Sequence, residues 1–252
     1  MSQRDTRSDL LRELRGSLTE LGAEGIDLIG RPAPRARKVR ESTSPASPQD
    51  LLSPPLDPAA LTDRAEGLQI IRKDLGECTR CGLHVARQNI VFGEGNPEAP
   101  VVFVGEGPGA EEDRTGRPFV GRAGELLTKI IESVGWRRED VYICNIVKCR
   151  PPKNRDPLLD EVATCRPYLE RQLLTIRPLV IVSLGKPASS TLLGRNIAIT
   201  KTRGIWQEWN GIPLMPTFHP AYLLRNYTRE TRQAVWDDLR AVRARVDEAG
   251  SR

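Results

Sequence analysis

The stretch Val101-Val102-Phe103-Val104-Gly105-Glu106-Gly107-Pro108-Gly109 decides the reading of the fold. Four apolar residues run without interruption and break into a glycine-rich loop. An apolar run of this length, closed by a turn signal, reads as a strand buried on both faces. Three further runs repeat the pattern, at residues 141–147, 179–184 and 212–218. Helical patterns separate most of them. Ala123, Leu126, Leu127, Ile130, Ile131 and Val134 follow helical spacing, and Gly135 supplies a stop. Asp156-Pro157 reads as the cap and first turn of another helix, which Pro167 is expected to kink or restart. Pro187 opens a short helix that Gly194 ends, and Val235, Leu239, Val242 and Val246 form one stripe of a last helix. Strands alternating with helices imply an α/β fold, a four-stranded parallel sheet flanked by helices.

Working outward, the rest of the chain divides in two. Residues 1–62 contain no aromatic residue; all 12 lie from Phe92 onward. Leu10, Leu11, Leu14, Leu18 and Leu21 predict a short helix over 9–21, and seven prolines follow between Arg31 and Ala60. That composition cannot bury enough apolar surface to offset chain entropy, so 1–62 reads as a disordered extension and 63–252 as the folded domain. The extension is charge-balanced, with nine basic and nine acidic residues, so the net charge of +5 belongs to the domain. A pI near 9.1 suits a polyanionic partner. No run of 18 apolar residues and no apolar stretch behind a basic start occurs, so neither a membrane span nor a secretory leader is expected, and the expected compartment is the cytoplasm.

In such sheets ligands bind beyond the carboxyl ends of the strands. Those ends carry Gly105–Gly109, then Asn145 running to Lys148-Cys149-Arg150, then Gly185-Lys186, then Phe218-His219-Pro220. Polar and glycine-rich residues therefore gather at one edge. The cysteines are Cys78, Cys81, Cys144, Cys149 and Cys165. Cys78-x-x-Cys81 supplies two ligands, and Cys149 and Cys165, each followed by Arg-Pro, are the best candidates to complete a four-thiolate site. Cys144 lies within a strand run and reads as a small apolar core group. Spacing leaves zinc, an iron–sulfur cluster and a redox dithiol open. Arg80, Arg87, Lys148, Arg150, Lys153, Arg155 and Arg166 read as a basic rim around the site, with Lys201–Arg203 a second phosphate-contacting loop.

Several segments together carry a family likeness. They are Phe92-Gly-Glu-Gly-Asn-Pro97, Gly105–Gly109, Glu112-Asp-Arg-Thr-Gly-Arg-Pro-Phe-Val-Gly121, Asn145-Ile-Val-Lys-Cys-Arg-Pro-Pro152 and Phe218-His-Pro-Ala-Tyr-Leu-Leu-Arg-Asn226. In these the chain resembles the class-4 uracil-DNA glycosylases, the iron–sulfur members of that superfamily. The likeness runs from about Cys78 to Asn226 or the final helix. It implies a [4Fe–4S] cluster on Cys78, Cys81, Cys149 and Cys165. It also implies a three-layer fold and hydrolysis of the N-glycosidic bond of deoxyuridine in DNA. The product would be an abasic site. The expected partner is uracil-containing DNA, single- or double-stranded, bound by a monomer whose tail contacts a repair or replication protein. A related branch traps its product on a His-bearing insertion; Asn145–Pro152 has no such His, so covalent trapping is not expected.

The implied chemistry assigns roles. Phe119 offers a ring face for an extruded base. Asn145 carries a donor and an acceptor on one amide and can match the O4 and N3–H of uracil. His219 can donate to the departing uracil anion as a neutral imidazole. Glu106, Gly107 and Pro108 line the base site. Of Glu106 and Glu112, one is expected to hold the hydrolytic water or offset sugar charge, and the other to wall off a thymine methyl. Leu223 or Leu224 is the expected wedge, and Arg225 a DNA contact. His84 reads as structural. The alternatives are a non-catalytic iron–sulfur DNA-binding module and a small-molecule α/β enzyme. Retention of Glu106, Phe119, Asn145 and His219 together disfavours the first. Absence of a phosphate-binding Lys-Ser/Thr loop disfavours nucleotide-cofactor forms of the second.

Overall fold

A computed structural model describes residues 63–250 of the chain; the helix expected over 9–21 lies outside them. The first element is α1 (Arg64–Leu75), capped by Asp63, whose carboxylate accepts from the Ala65 and Glu66 N–H groups. Then come β1 (Glu94–Gly95), β2 (Val101–Gly105), α2 (Ala110–Thr115), α3 (Arg122–Ser133) and β3 (Tyr142–Asn145). They are followed by α4 (Leu159–Ile176), β4 (Val180–Leu184), α5 (Gly185–Leu193), α6 (Ile199–Thr202), β5 (Gln207–Trp209), β6 (Ile212–Thr217), α7 (Pro220–Arg225) and α8 (Arg229–Gly250).

The sheet order is β1-β3-β2-β4-β6-β5. The four strands read from apolar runs are its parallel centre, β3-β2-β4-β6. Each edge carries one short antiparallel strand the sequence did not signal, β1 beside β3 and β5 beside β6. Both faces are covered, which is why the central strands are apolar throughout. Val102, Val104 and Ile181 join a core with Leu68, Ile71, Leu169, Leu173 and Ile176, from α1 and α4. Val101, Phe103 and Val182 join the opposite core with Leu127, Ile131, Leu239 and Val242, from α3 and α8. Period-two alternation along β2 thus feeds two helical layers.

Three helical expectations shift. The helix expected from Asp156-Pro157 begins at Leu159, because Glu161 folds back to accept from the Leu158 N–H and from Arg155. Pro167 lies inside α4, which continues through it; a proline removes one helical hydrogen bond, and buried Cys165, Tyr168 and Leu169 hold the helix on the sheet at that point. The segment after His219, for which no helix is expected above, forms the short helix α7, with Pro220 in its first turn. Among the described residues no helix is long and apolar enough to cross a membrane.

β2 lies between β3 and β4, so the chain reverses direction across the sheet at this strand. A crevice opens there beyond the strand ends. Central burial makes β4 sensitive to truncation. Ile181→Ala, at a fully buried position, is expected to cost about 2–5 kcal/mol. Chemical denaturation should show a lower midpoint with an unchanged slope.

Candidate active site

The carboxyl ends of the four central strands converge on one cavity of about 580 Å³. Its walls include Glu106, Gly107, Pro108, Phe119, Asn145, Asp156 and His219. The sequence-predicted base-site residues are therefore brought together. Gly105 and Asn145 end β2 and β3 as register partners. A Cβ on Gly105 would stand 2.4 Å from Asn145 Oδ1 and 2.5 Å from the Phe119 ring. Glycine here is what lets amide and ring approach each other.

Phe119 has φ of +50°, a left-handed conformation rare for a phenylalanine. Two devices hold it. Arg138 donates to the Pro118 carbonyl and to Thr128. Glu112 accepts from the Val120 and Gly121 N–H groups, both at 2.9 Å, and from the Gly109 N–H at 3.1 Å. Glu112 thereby ties the glycine loop to the Phe119 loop. Its two oxygens are committed to backbone donors, so it acts as a strut, and the expectation that it holds water passes to Glu106. The Phe119 and His219 rings stand 5.6 Å apart, tilted by 35°.

Asn145 is buried, and its Oδ1 has no hydrogen-bond partner among the described residues. A buried acceptor left without a donor costs on the order of 1–3 kcal/mol, so this atom points to a ligand. Its backbone carbonyl is anchored by the Lys148 ammonium at 2.8 Å, which also donates to Gln172 at 2.6 Å. Lys148 is therefore an interior residue and not part of the basic rim. The register of β3 and its following loop turns it inward.

His219 Nδ1 accepts from the Ala221 N–H at 3.0 Å. In the neutral ring the proton is then on Nε2. Burial, with Arg225 nearby, lowers the ring pKa to about 4, so the imidazole is a neutral donor at physiological pH. Glu106 is displaced the other way, to about 7, first by burial and then by the nearby Asp156 carboxyl. Asp156 was not singled out in the sequence as a site residue. It lies on an irregular segment where no periodicity marks it.

Near the cavity mouth, Leu223 is 2% exposed and packs in the core with α3 and α8, so it is not available as a wedge; the register of α7 turns it inward. Leu224, 38% exposed, faces out on the same helix. Arg225 and Lys186 line the mouth. Arg203 pairs with Asp238 and donates to the Ala234 carbonyl, so the 201–203 segment serves the fold at that residue and not a phosphate. Arg155 and Arg166 likewise pair with Glu161 and Glu170.

The cysteines lie on the other face of the sheet end. Among the described residues no group of three or more His, Cys, Asp or Glu side chains is arranged to hold a metal ion. Cys78, Cys81, Cys149 and Cys165 nevertheless wall one small cavity with Leu75, Leu83 and Tyr168. Arg87 donates to Cys149 Sγ at 3.5 Å, and the Lys148 N–H to Cys165 Sγ at 3.4 Å. Four thiols around a common void, with N–H donors on two sulfurs, fit a polynuclear group held by thiolates. Burial pushes the Cys81, Cys149 and Cys165 thiols up, Cys165 to about 11. Cys144 is a core residue, as read, and His84 bonds the Cys81 carbonyl.

A three-layer α/β sheet with a polar-lined cavity over its strand ends defines a class, and the comparisons agree. The uracil DNA glycosylase superfamily matches residues 92–240. A type-4 uracil-DNA glycosylase of Thermotoga maritima is 50% identical over 189 residues, covering 74% of this chain and 98% of that protein. That of Saccharolobus solfataricus is 45% identical, covering 71% and 86%, and that of Archaeoglobus fulgidus 43%, covering 70% and 92%. The chain belongs to the uracil DNA glycosylase superfamily. Within it, these relatives place the chain with the type-4 enzymes, in agreement with the motif resemblance.

The lowered His219 pKa has a stability consequence. Between pH 4 and 6.5 the unfolded ring binds more protons than the folded one, so this residue's contribution to stability rises with pH across that window and is lost as pH falls. Denaturation midpoints at pH 4.5 and 6.5 should differ less in His219→Gln than in the unsubstituted protein.

Proposed function

We propose that this chain hydrolyses the N-glycosidic bond of deoxyuridine in DNA, releasing uracil and leaving an abasic site. The observation that carries the reading is the unpartnered Asn145 Oδ1, buried in the same cavity as the Phe119 ring and the neutral His219. Its kinship with type-4 uracil-DNA glycosylases supports the activity as a whole.

The roles follow from the chemistry. An extruded base stacks on Phe119, an interaction worth about 1–3 kcal/mol. Uracil N3–H donates to Asn145 Oδ1, and the amide NH₂ donates to O4. Cytosine presents an acceptor at N3 and donors at its exocyclic amine, so the same amide orientation rejects it. As the bond breaks, negative charge spreads to O2, where His219 Nε2–H can donate. A neutral donor already in place stabilises that charge without moving a proton first. Glu106 is the carboxyl for water and for the positive charge that builds on the sugar. Gly107 and Pro108 let the backbone lie close to the base. Leu224 is the wedge for the vacated stack, and Arg225 and Lys186 are the phosphate contacts at the mouth.

Cys78, Cys81, Cys149 and Cys165 are proposed to hold a [4Fe–4S] cluster. When bound it supplies a covalent tie between the Cys78–Cys81 turn, the segment after β3 and α4. Lys148, next to Cys149, anchors the Asn145 carbonyl, so this tie abuts the base-reading strand end.

Incubation with a labelled uracil-containing oligonucleotide followed by alkali tests the reaction. Strand breaks at uracil are expected, in single- and double-stranded DNA; intact strands would favour a non-catalytic DNA-binding module. Asn145→Asp replaces the amide donor by an acceptor. It should lower uracil excision by about 10²–10³-fold, the cost of losing one such polar contact at a transition state; unchanged excision would remove Asn145 from its role. Iron and acid-labile sulfide in the purified protein should each approach four per chain. Cys149→Ala should lose most of both and reduce thermal stability.

A further inference from the structure

Beside α7 lies a groove that the glycosylase chemistry does not use. It encloses about 480 Å³ between α3 and α8. Leu126, Lys129, Ile130 and Ser133 line it from α3, and Arg229, Arg232, Gln233 and Trp236 from α8. Steps of three, four and seven residues put each set on one face of its helix. The charged residues of this lining are all cations, Lys129, Arg229 and Arg232. Each is exposed and belongs to no ion pair among the described residues, unlike Arg155, Arg166 and Arg203. Two rings stand exposed over the apolar lining, Tyr227 at 58% and Trp236 at 39%. The Arg232 guanidinium lies 4.9 Å over Tyr227, and that of Arg240 4.6 Å over Trp236. The turn that carries Tyr227 is tied: the Thr231 hydroxyl donates to the Asn226 carbonyl at 2.6 Å, and the Thr231 N–H to Thr228 Oγ1 at 3.2 Å.

α7 separates this groove from the base cavity. Ala221, Tyr222 and Arg225 line the cavity, whereas Leu223 and, just past the helix, Tyr227 line the groove. The exposed Leu224 stands on the same short helix. We propose that the groove is a second DNA subsite, which takes nucleotides flanking the extruded uracil, with a base on the Tyr227–Arg232 stack and phosphates at Lys129 and Arg229. The inference rests on the glycosylase reading, which puts uracil on the other side of α7.

Charge and shape select this occupant. Each nucleotide brings one negative phosphate and one flat ring, and the lining offers unpaired cations beside aromatic and guanidinium planes. Every base has a π face, so such a platform holds a strand without reading its sequence. An acidic peptide would also meet the cations. Continuity with Leu224 and Arg225 through one six-residue helix favours the strand already engaged there.

The test measures binding of the full chain to a fluorescent, uracil-free single strand of about 20 nucleotides, longer than the usual single-strand site. Anisotropy is read across a series of salt concentrations. Tyr227→Ala should weaken binding about tenfold, the loss of one stacked base, and Tyr227→Phe should restore most of it. Lys129→Gln and Arg229→Gln should each lower the slope of log affinity against log salt by about 0.7, one phosphate contact apiece. A residue serving only the fold would not move that slope. All of these positions are exposed, so melting temperatures should stay close to that of the unsubstituted chain. Unchanged affinity and slope in variants that melt normally would overturn the subsite and leave the groove to a protein partner. The same variants are then assayed for uracil excision. If the unsubstituted chain binds DNA through the groove yet releases no uracil, the glycosylase reading fails while the groove remains a DNA site.

Discussion

Two strand ends set the chemistry of this molecule by how closely they approach. Gly105 and Asn145 face each other in register at the carboxyl ends of neighbouring parallel strands, and a Cβ at 105 would collide with both the Asn145 amide and the Phe119 ring. The missing side chain therefore creates the slot. A parallel pair fixes that juxtaposition because its register is enforced along the strand by buried Val102, Val104, Tyr142 and Cys144. The position of the amide is thus secured by the core of the domain and not by the loops around it.

Around the slot, polar groups divide between those that position and those left to react. Glu112, Arg138 and Lys148 spend their hydrogen bonds on backbone atoms that fix Phe119 and Asn145. His219 spends its Nδ1 on the Ala221 N–H, which selects the tautomer with Nε2 protonated. Asn145 Oδ1 and the Glu106 carboxyl are what remains. An unpartnered buried acceptor and a carboxyl titrating near 7 both reduce the stability of the ligand-free fold. Such groups are retained where substrate supplies the missing partner.

Much of this was legible in the sequence, for reasons that differ by residue. The central strands were visible because both their faces are buried, which leaves unbroken apolar runs. The helix of residues 122–133 was visible because one face alone is buried. Glu106 and His219 stood out because glycine or proline flanks them at strand ends, Asn145 because it is a polar residue closing an apolar strand run, and Phe119 because it follows a Gly-Arg-Pro turn. The edge strands at 94–95 and 207–209 were not visible, since two or three residues hold no period and their pairing is imposed by a neighbour. The helix of residues 64–75 was missed although Leu68, Ile71 and Leu75 mark its buried face; its remaining residues are mostly polar or charged and adjoin the extension. Leu223 and Leu224 could not be told apart, because which of two adjacent leucines faces inward depends on the register of a six-residue helix. Lys148 looked like a surface cation, and only the fold reveals the carbonyl and the glutamine that receive its ammonium group. Asp156 required the tertiary structure entirely, since no local pattern relates it to Glu106 fifty residues earlier.

The central claim is that one amide, one ring and one imidazole read and release the same pyrimidine. A crystal structure with free uracil bound tests it most directly. The account predicts the base stacked on Phe119, with N3 in hydrogen-bond reach of Asn145 Oδ1 and O2 in reach of His219 Nε2. Uracil lodged away from this cavity, or bound there with Asn145 Oδ1 still unpartnered, would contradict it.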